Sequence, residues 1–236
     1  MPLRFQNSTL TRPGYAQRGL VLHFDPSVTT CYSGSGTTLN DLSGEGNSGS
    51  FSGSVTFSTP SLNDFGSNDY IATPGLGSHI SGDAHNTTEV WFNNLANQGV
   101  IASWCGQATP NSFYHFSHME WQSNNSVRIG LWNGTGISDA TAGTGLSDGT
   151  WYQFVGTYDG TTLRTYVNGV AGGTVNLNFD HPANTHIFLN HEDTTDIAEG
   201  GTWSQGSYGV FRVYDRALTA TEVLDNFNKT KGIYGL

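Results

Sequence analysis

The strongest concentration of potential ligand-binding side chains in this 236-residue chain lies between residues 191 and 206. Two glycines divide this segment into an acidic half and a polar half that holds one indole ring. An exposed ring beside hydroxyl and amide groups has the composition of a sugar-stacking site. Loop carboxylates are also the ligands that calcium prefers, although a solvated loop is the favoured interpretation of the acids. The sugar-binding residues predicted here are Trp203, His191, Glu192 and Asp193.

Two smaller patches carry the same kinds of groups. Trp132 and the adjacent Asn133 form a second pair of ring and amide, although burial in the core is the favoured interpretation of this tryptophan. Asp64, Asn68 and Asp69 form a second oxygen-rich turn, and a solvated turn is again the favoured interpretation. We therefore add Trp132 and Asn133 to the predicted binding residues. We expect no cofactor, with calcium as the minor alternative.

The spacing of His115, His118 and Glu120 could be taken for a metal-binding pattern. In a β-strand, however, positions 115 and 118 point to opposite faces. A zinc site of this type needs a helix or a tight loop, together with a third ligand. Side chains packed on a sheet face are the better interpretation, so no metal site is predicted.

An enzymatic role as a glycosidase requires two carboxyl groups, about 5–5.5 Å apart in retaining enzymes. Along a strand, such a pair appears as acids at alternating positions. Glu89 and Glu120 each stand in a strand-like run with no second acid two residues away. We therefore expect that the protein is not an enzyme.

These side chains must be positioned by short strands, because alternating runs separated by turn residues recur along the chain. Residues 151–170 are the clearest example, where Asp159-Gly160 and Asn168-Gly169 separate three runs with a period of two. Such dipeptides tolerate the positive φ angles of tight hairpin turns. Large aromatic residues of the strands are expected to fill the space between two sheets: Trp91, Phe92, Trp104, Phe154 and Phe211.

The pattern Trp-x-x-Phe-Val-x-Thr-Tyr-Asp-Gly from Trp151, followed by Tyr-Val-Asn-Gly, resembles the laminin-G-like branch of the concanavalin A-like jelly rolls. Residues 19–47 are similar to that family's opening strand and following loop, and residues 209–223 to its last strand and closing helix. The resemblance implies an all-β jelly-roll sandwich of two antiparallel sheets over residues 19–227. It also implies that rim loops are the common place for sugar binding.

Charge and hydropathy exclude several partners. The formal net charge is −10, whereas a nucleic-acid-binding surface needs clustered Lys and Arg. No stretch approaches the ~20 apolar residues of a membrane span, so no membrane insertion is predicted. The sequence shows no basic start followed by an apolar core, so we expect synthesis in a cytoplasm without general secretory export.

Both chain ends differ from the body of the protein. Residues 1–18 lack strand alternation and are predicted to form an extended arm, for which a frayed terminus is the alternative. No acid precedes Asp25, so the first 24 residues carry +3 and the remainder −13. Residues 228–236 are predicted to leave the domain as a tail. The candidate docking residues of the arm and tail are Arg4, Phe5, Arg12, Tyr15, Arg18 and Tyr234.

One short C-terminal helix is predicted from a capping box at Thr219 and Glu222. Its spacing places Ala220, Val223, Leu224 and Phe227 on one face, and we expect that face to pack on the sandwich.

The start, the end and the tail of the chain are similar to those of small laminin-G-like proteins of bacteriophages. This resemblance implies a virion structural protein, most simply a capsid decoration protein assembled in the host cytoplasm. Its partners would be capsid or other virion proteins and further copies of itself, with host surface glycans at the sandwich rim. The alternative is a bacterial carbohydrate-binding or adhesin module.

Overall fold

The computed structural model describes residues 14–66, 69–96, 98–106, 116–132, 137–190 and 204–236. Within these residues, the chain forms two antiparallel sheets of eight strands each. The all-β sandwich that the sequence predicts is therefore confirmed. The strands of the first sheet are β1 (Leu20–Phe24), β4 (Thr56–Ser58), β5 (Ser61–Phe65), β7 (Asn86–Ala96), β12 (Trp151–Tyr158), β13 (Thr162–Val167), β14 (Val170–Asn176) and β16 (Gln205–Tyr214).

The first sheet has the strand order β14-β13-β12-β7-β16-β5-β4, and β1 also pairs with β16. The early part of β16 pairs with β5, whereas its last four residues pair with β1. The second sheet has the order β11-β10-β9-β8-β15-β6-β3-β2. Its strands are β2 (Thr38–Leu39), β3 (Gly49–Ser52), β6 (Tyr70–Ala72), β8 (Gly99–Gly106), β9 (Phe116–Trp121), β10 (Val127–Trp132), β11 (Ile137–Gly143) and β15 (Thr185–Leu189).

The two predicted hairpin turns differ in detail. Asn168 and Gly169 have φ angles of 50° and 76°, and they join β13 to β14 as the two-residue turn that the sequence predicts. The other connection is a three-residue loop, because β12 ends at Tyr158 and β13 begins at Thr162. There the Asp159 carboxylate accepts from the backbone N–H groups of Thr161 and Thr162, which stabilises the longer loop.

The main core lies between the two sheets. Phe92, Trp104, Phe154 and Phe211 are buried there, as predicted. Trp91 is the exception, because adjacent residues of a strand point to opposite faces. Its indole is fully buried on the outer side of the first sheet, where it stacks on Tyr234 with ring centroids 4.4 Å apart.

Two helices and a short 3-10 helix complete the described fold: α1 (Gly77–Ile80), α2 (Ala220–Thr230) and the 3-10 helix (Lys231–Tyr234). The predicted capping box of α2 is present, with Thr219 and Glu222 bonding reciprocally. The predicted buried face is wrong in part. Val223 is buried with Asn226 and Thr230, whereas Leu224 is 43% exposed and lies by the turn at Gly169. Two polar residues, Asn226 and Thr230, therefore lie on the helix face that contacts the sheet.

The predicted tail does not leave the domain. Tyr234 is 9% exposed, and its hydroxyl accepts from the backbone N–H of Val210 at 2.8 Å. Trp151 packs on the same ring, with centroids 4.5 Å apart. Tyr234 therefore holds the C-terminus on the first sheet, and its assignment as a docking residue is wrong.

The last residues of the predicted arm also contact the chain's own body. Tyr15 lies against His23, with its hydroxyl 3.0 Å from Nδ1, and the N–H of Ala16 donates to Asn226 Oδ1 at 2.8 Å. Tyr15 is thus an internal anchor and not a free docking side chain. Arg18 is exposed. Arg4, Phe5 and Arg12 lie outside the described residues, so their docking role stays a prediction.

A fully buried ion pair joins the first sheet to α2. Glu89 of β7 and Arg212 of β16 are directly opposite in register. Glu89 Oε1 lies 2.7 Å from Arg212 Nη1, with the two side chains 0% and 2% exposed. Gln153 donates to the same carboxylate oxygen at 2.9 Å, and Asn226 donates to the other at 2.8 Å. The arm completes this network, because the guanidinium carbon lies 4.1 Å from the ring centroid of Tyr15.

Cys31 and Cys105 are both buried and are not joined in a disulfide. None of the helices in the described ranges has the length and apolar character needed to cross a membrane.

Replacing Glu89 by Gln should destabilise the protein strongly, because it leaves the Arg212 guanidinium buried without a counter-ion. We expect the free energy of unfolding in urea to fall by about 3–5 kcal/mol. Glu45 is exposed, so Glu45→Gln makes the same charge change as a matched control and should shift stability by less than about 0.5 kcal/mol. Equal stabilities of the two variants would contradict a stabilising role for the pair.

Folding stability should fall in mild acid because of His23. Burial, and secondarily the charge of Arg212, lowers the pKa of His23 from 6.5 to about 2. Below pH 6.5 the unfolded chain therefore binds a proton that the folded chain excludes. From this residue we expect unfolding to cost about 2 kcal/mol less at pH 5 than at pH 7, measured by urea titration. A His23→Gln variant with an unchanged pH dependence would contradict this assignment.

Candidate functional site

Alternate residues of the second sheet line its outer face, on the side away from the core. The register places Asp139 beside Gly130, Gly130 beside His118, and His118 beside Ser103. Phe188 lies beside Ser103 on the next strand. One row across five strands, β11-β10-β9-β8-β15, therefore carries side chains of very different chemistry.

A charged cluster occupies the β11–β9 end of this face. It consists of His118, Glu120, Arg128 and Asp139. Arg128 Nε donates to Glu120 Oε2 at 2.8 Å, and Arg128 Nη2 lies 2.7 Å from the same oxygen. Arg128 Nη1 donates to Asp139 Oδ2 at 3.3 Å. The Arg128 guanidinium thus joins carboxylates from β9 and β11, the strands on either side of β10. These contacts orient all three side chains.

His118 forms the floor of the charged cluster. Its side chain is 8% exposed, and Nε2 lies 3.6 Å from Glu120 Oε2, too far for a hydrogen bond. That ring nitrogen is buried and has no hydrogen-bond partner. Burial, and secondarily the charge of Arg128, lowers the pKa of His118 to about 4. The imidazole is therefore uncharged at neutral pH.

Gly130 leaves the middle of the row without a side chain. A β-carbon at this position would lie 2.4 Å from the Ser138 carbonyl oxygen and 2.5 Å from the β-carbon of Asp139. Only glycine therefore allows β11 to approach β10 this closely. As a result, no side chain projects from the sheet between His118 and Asp139.

An aromatic strip occupies the β15–β6 end of the same face. It consists of Tyr70, His186 and Phe188, all of them half-buried. The rings of Tyr70 and Phe188 meet edge to face at 5.8 Å, and His186 stacks on Phe188 at 6.4 Å. His186 Nδ1 lies 2.9 Å from the Thr73 carbonyl oxygen, which orients the imidazole.

The charged cluster and the aromatic strip lie close enough to contact one ligand. His118 and Phe188 are two strands apart, which corresponds to roughly 10 Å at the usual interstrand spacing. The rings supply apolar surface, and the cluster supplies hydrogen-bond donors and acceptors. Arg128 and Asp139 lie three and four strands from Phe188, roughly 14 and 19 Å, so the arrangement suits an extended ligand that has apolar faces and hydroxyl edges.

Most of the predicted binding residues cannot be compared with this face. Trp203, His191, Glu192, Asp193 and Asn133 lie outside the described residues. Trp132 lies in β10, at the position that pairs with Phe116 and Ile137. None of the six is confirmed as a ligand-binding residue.

The two residues that flank the predicted binding loop are described, and they contact each other. Asn190 and Ser204 bracket residues 191–203, and Ser204 Oγ lies 3.2 Å from Asn190 Oδ1. The same hydroxyl donates to the Val100 carbonyl at 2.8 Å. The loop therefore starts and returns at one point beside β8, and it begins within a few residues of Phe188.

The second predicted oxygen-rich turn uses its carboxylates internally. Asp69 accepts from the backbone N–H groups of Ser54 and Gly66, and Asp64 accepts from the hydroxyl of Thr56. The described ranges contain no group of three or more His, Cys, Asp or Glu side chains that could hold a metal ion. Whether any cofactor binds stays an expectation from the sequence.

Sequence reasoning missed Arg128, Asp139 and Phe188, and it assigned His118 and Glu120 to sheet packing alone. The signal available in the sequence was weak, since each charged residue stands singly in its own strand. Their proximity depends on the register of β9, β10 and β11, which single-strand periodicity does not give.

Comparison with known proteins agrees with this architecture. A sequence model described as the concanavalin A-like lectin/glucanases superfamily, laminin-G type, matches residues 65–224. No match to the sequence was found among curated proteins. Solved structures supply many structural matches.

Three of these structures illustrate the range of similar folds. Domain 4 of AbnA, a GH43 extracellular arabinanase from Geobacillus stearothermophilus solved with arabinotriose, is 16% identical, with a TM-score of 0.65 over 88% of this chain and 97% of that one. The binding domain of botulinum neurotoxin DC, solved with SialylT, is 11% identical, with a TM-score of 0.63 over 90% and 52%. A Trypanosoma rangeli sialidase solved with the inhibitor DANA is 12% identical, with a TM-score of 0.62 over 91% and 33%.

The present chain thus spans about half of the toxin structure and a third of the sialidase. At these identities the structural likeness shows the fold alone. The sequence match covers well over half of the chain, and it agrees with the two antiparallel sheets and the closing helix. The chain belongs to the concanavalin A-like lectin/glucanase superfamily, as a laminin-G-like domain.

Proposed function

We propose that this protein is a non-enzymatic, glycan-binding structural protein that uses the outer face of its second sheet. The observation that carries this proposal is the combination of the aromatic strip and the charged cluster on one face. A sugar ring has apolar C–H faces that pack on aromatic rings and hydroxyl edges that hydrogen-bond. The half-buried rings of Tyr70 and Phe188 supply the first kind of contact. Arg128 and Asp139 supply the second.

The similar folds support this proposal by analogy. The arabinanase domain was solved with arabinotriose, and the neurotoxin binding domain with SialylT. Arabinotriose is an oligosaccharide. For this chain these structures support a general class of ligand and not a particular sugar.

A binding role without catalysis is supported by the placement of the strand carboxylates. Glu89 is fully buried beneath α2 in its ion pair with Arg212, so a substrate cannot reach it. Glu120 is held by Arg128 on the opposite side of the sandwich. These two carboxylates therefore cannot flank one glycosidic bond.

We further propose that the protein acts in a bacteriophage virion, as a capsid decoration protein assembled in the host cytoplasm. The support is the contrast between a segment of +3 charge and an acidic body of −13. Tyr15 and Ala16 fix the start of the described chain on the outer side of the first sheet. The described chain therefore begins on the side opposite the proposed sugar face, so a capsid surface bound by residues 1–13 would lie on that side. The alternative is a bacterial carbohydrate-binding or adhesin module.

Truncating the aromatic strip should abolish most glycan binding. We expect Phe188→Ala to weaken binding of any glycan that the wild type recognises on an array by at least about tenfold, or 1.4 kcal/mol. Phe227 is half-buried on α2, on the opposite side of the molecule. Phe227→Ala therefore removes the same side chain as a matched control and should leave the array profile unchanged.

Two results would contradict the proposed glycan site. The first is wild-type affinity in the Phe188→Ala protein, with far-UV circular dichroism showing that both variants are folded. The second is the absence of binding to every glycan on a broad array, with calcium and without it.

Removing residues 2–13 should abolish attachment to capsids while leaving the fold intact. This truncation deletes Arg4, Phe5 and Arg12 but keeps the contacts of Tyr15 and Ala16, so stability should change by less than about 0.5 kcal/mol. The measurement is cosedimentation of each protein with capsids that lack it. A second truncation that also removes Tyr15 serves as a control for loss of folding.

Unchanged cosedimentation of the protein lacking residues 2–13 would overturn the arm as the docking element. Absence of cosedimentation for the full-length protein would overturn the virion assignment. In that case the adhesin alternative would be tested by the same glycan array.

A further inference from the structure

We propose that the charged cluster recognises the adjacent hydroxyl groups of an uncharged sugar and rejects sugars that carry a carboxylate or sulfate. This inference rests on the proposed glycan-binding function and adds the chemical class of the ligand. It follows from the groups that remain unused after Arg128 has bound its two carboxylates.

Arg128 retains hydrogen-bond donors after it has bound the two carboxylates. A guanidinium carries five N–H groups. Nε and one N–H of Nη1 are used by Glu120 and Asp139, and Nη2 directs at most one N–H to Glu120. Each terminal nitrogen therefore keeps one N–H. The side chain is 23% exposed, so these donors can reach a ligand oxygen.

Acceptors lie next to these donors. Arg128 binds Oδ2 of Asp139 and Oε2 of Glu120, and no described residue donates to the other oxygen of either carboxylate. The Asp139 side chain is 31% exposed, which leaves Oδ1 available to a ligand. His118 Nε2 is buried beneath these groups, 3.6 Å from Glu120 Oε2.

This combination of donors and acceptors matches a pair of neighbouring hydroxyl groups. A hydroxyl donates one hydrogen bond and accepts others. One sugar oxygen can therefore accept from the Arg128 guanidinium while its hydrogen goes to Asp139 Oδ1. The aromatic strip begins three strands from Arg128 and four from Asp139, roughly 14 and 19 Å at the usual interstrand spacing, so it would contact a more distant part of the same oligosaccharide.

The cluster disfavours an anion because its charges do not cancel. Arg128 contributes one positive charge and the two carboxylates contribute two negative charges, while burial keeps His118 neutral, with its pKa at about 4. Among the described residues of the second sheet, Arg128 is the single Lys or Arg. Both carboxylates already bind its guanidinium, so an anionic sugar would approach two negative charges without a free cation to oppose them.

Glycan selectivity gives the direct test. We would measure binding of full-length protein to an array with neutral oligosaccharides, including arabinotriose and lactose, and to sialylated and sulfated forms of the same neutral cores. The expected result is at least about tenfold tighter binding of a neutral glycan than of its acidic counterpart, or 1.4 kcal/mol. The salt concentration is held constant, because surface electrostatics are screened by salt.

Asp139→Asn tests whether the cluster is responsible. This change keeps the size of the side chain and removes one of the two negative charges. The cluster then carries one positive and one negative charge, so its repulsion of an anionic sugar is reduced. The preference for neutral over acidic glycans should therefore fall to less than about threefold. Asp225 is exposed on α2, on the opposite side of the molecule. Asp225→Asn makes the same charge change there and should leave the preference unchanged.

The outcomes separate this inference from the proposed function. Equal or tighter binding of the acidic glycans would overturn the inference and leave the sugar-binding function standing. An equal loss of preference in Asp225→Asn and Asp139→Asn would assign selectivity to the net charge of the protein, and it too would overturn the inference. Absence of binding to every glycan would overturn both.

Discussion

The buried contact between Glu89 and Arg212 is the constraint on which much of the architecture depends. Burying two charges away from water costs free energy unless each charge is paired and hydrogen-bonded. Here the neighbours come from three separate parts of the chain: Gln153 from the sheet, Asn226 from α2, and Tyr15 from the N-terminal segment. The ion pair therefore requires the helix and the arm anchor to cover the first sheet. Because α2 and the arm anchor cover the outer face of the first sheet, the charged cluster and the aromatic strip lie together on the outer face of the second sheet.

Much of the fold could be predicted from local patterns in the sequence. Period-two alternation and turn dipeptides give the strands and the β13–β14 hairpin, because these features depend on neighbouring residues alone. The errors occur where tertiary contacts decide. Trp91 and Phe92 are equally apolar, yet they belong to different layers of the molecule. The buried face of α2 includes Asn226, because its partner is a carboxylate and not a hydrophobic surface.

The candidate site was less accessible to sequence reasoning than the fold. His118 and Glu120 are visible as a short motif, but their partners come from β10 and β11 and are found only through strand register. Glu120, which belongs to the pattern that resembles a metal site, binds an arginine. The loop of Trp203, on which the sequence argument placed most weight, lies outside the described residues and stays a prediction. Sequence composition identifies kinds of chemistry, whereas pairing between strands determines which groups meet.

The anchoring of the N-terminal segment has a consequence for how many copies could act together. Gly14 lies close to Lys229 of α2, on the side of the sandwich opposite the charged cluster. Copies that sit on a common support through the first-sheet side, where Gly14 lies, would all turn the second sheet away from that support. Weak single-site affinities would then combine, because each further contact forms at a high effective concentration. Parallel presentation of this kind would give high avidity to a face whose single contacts are weak.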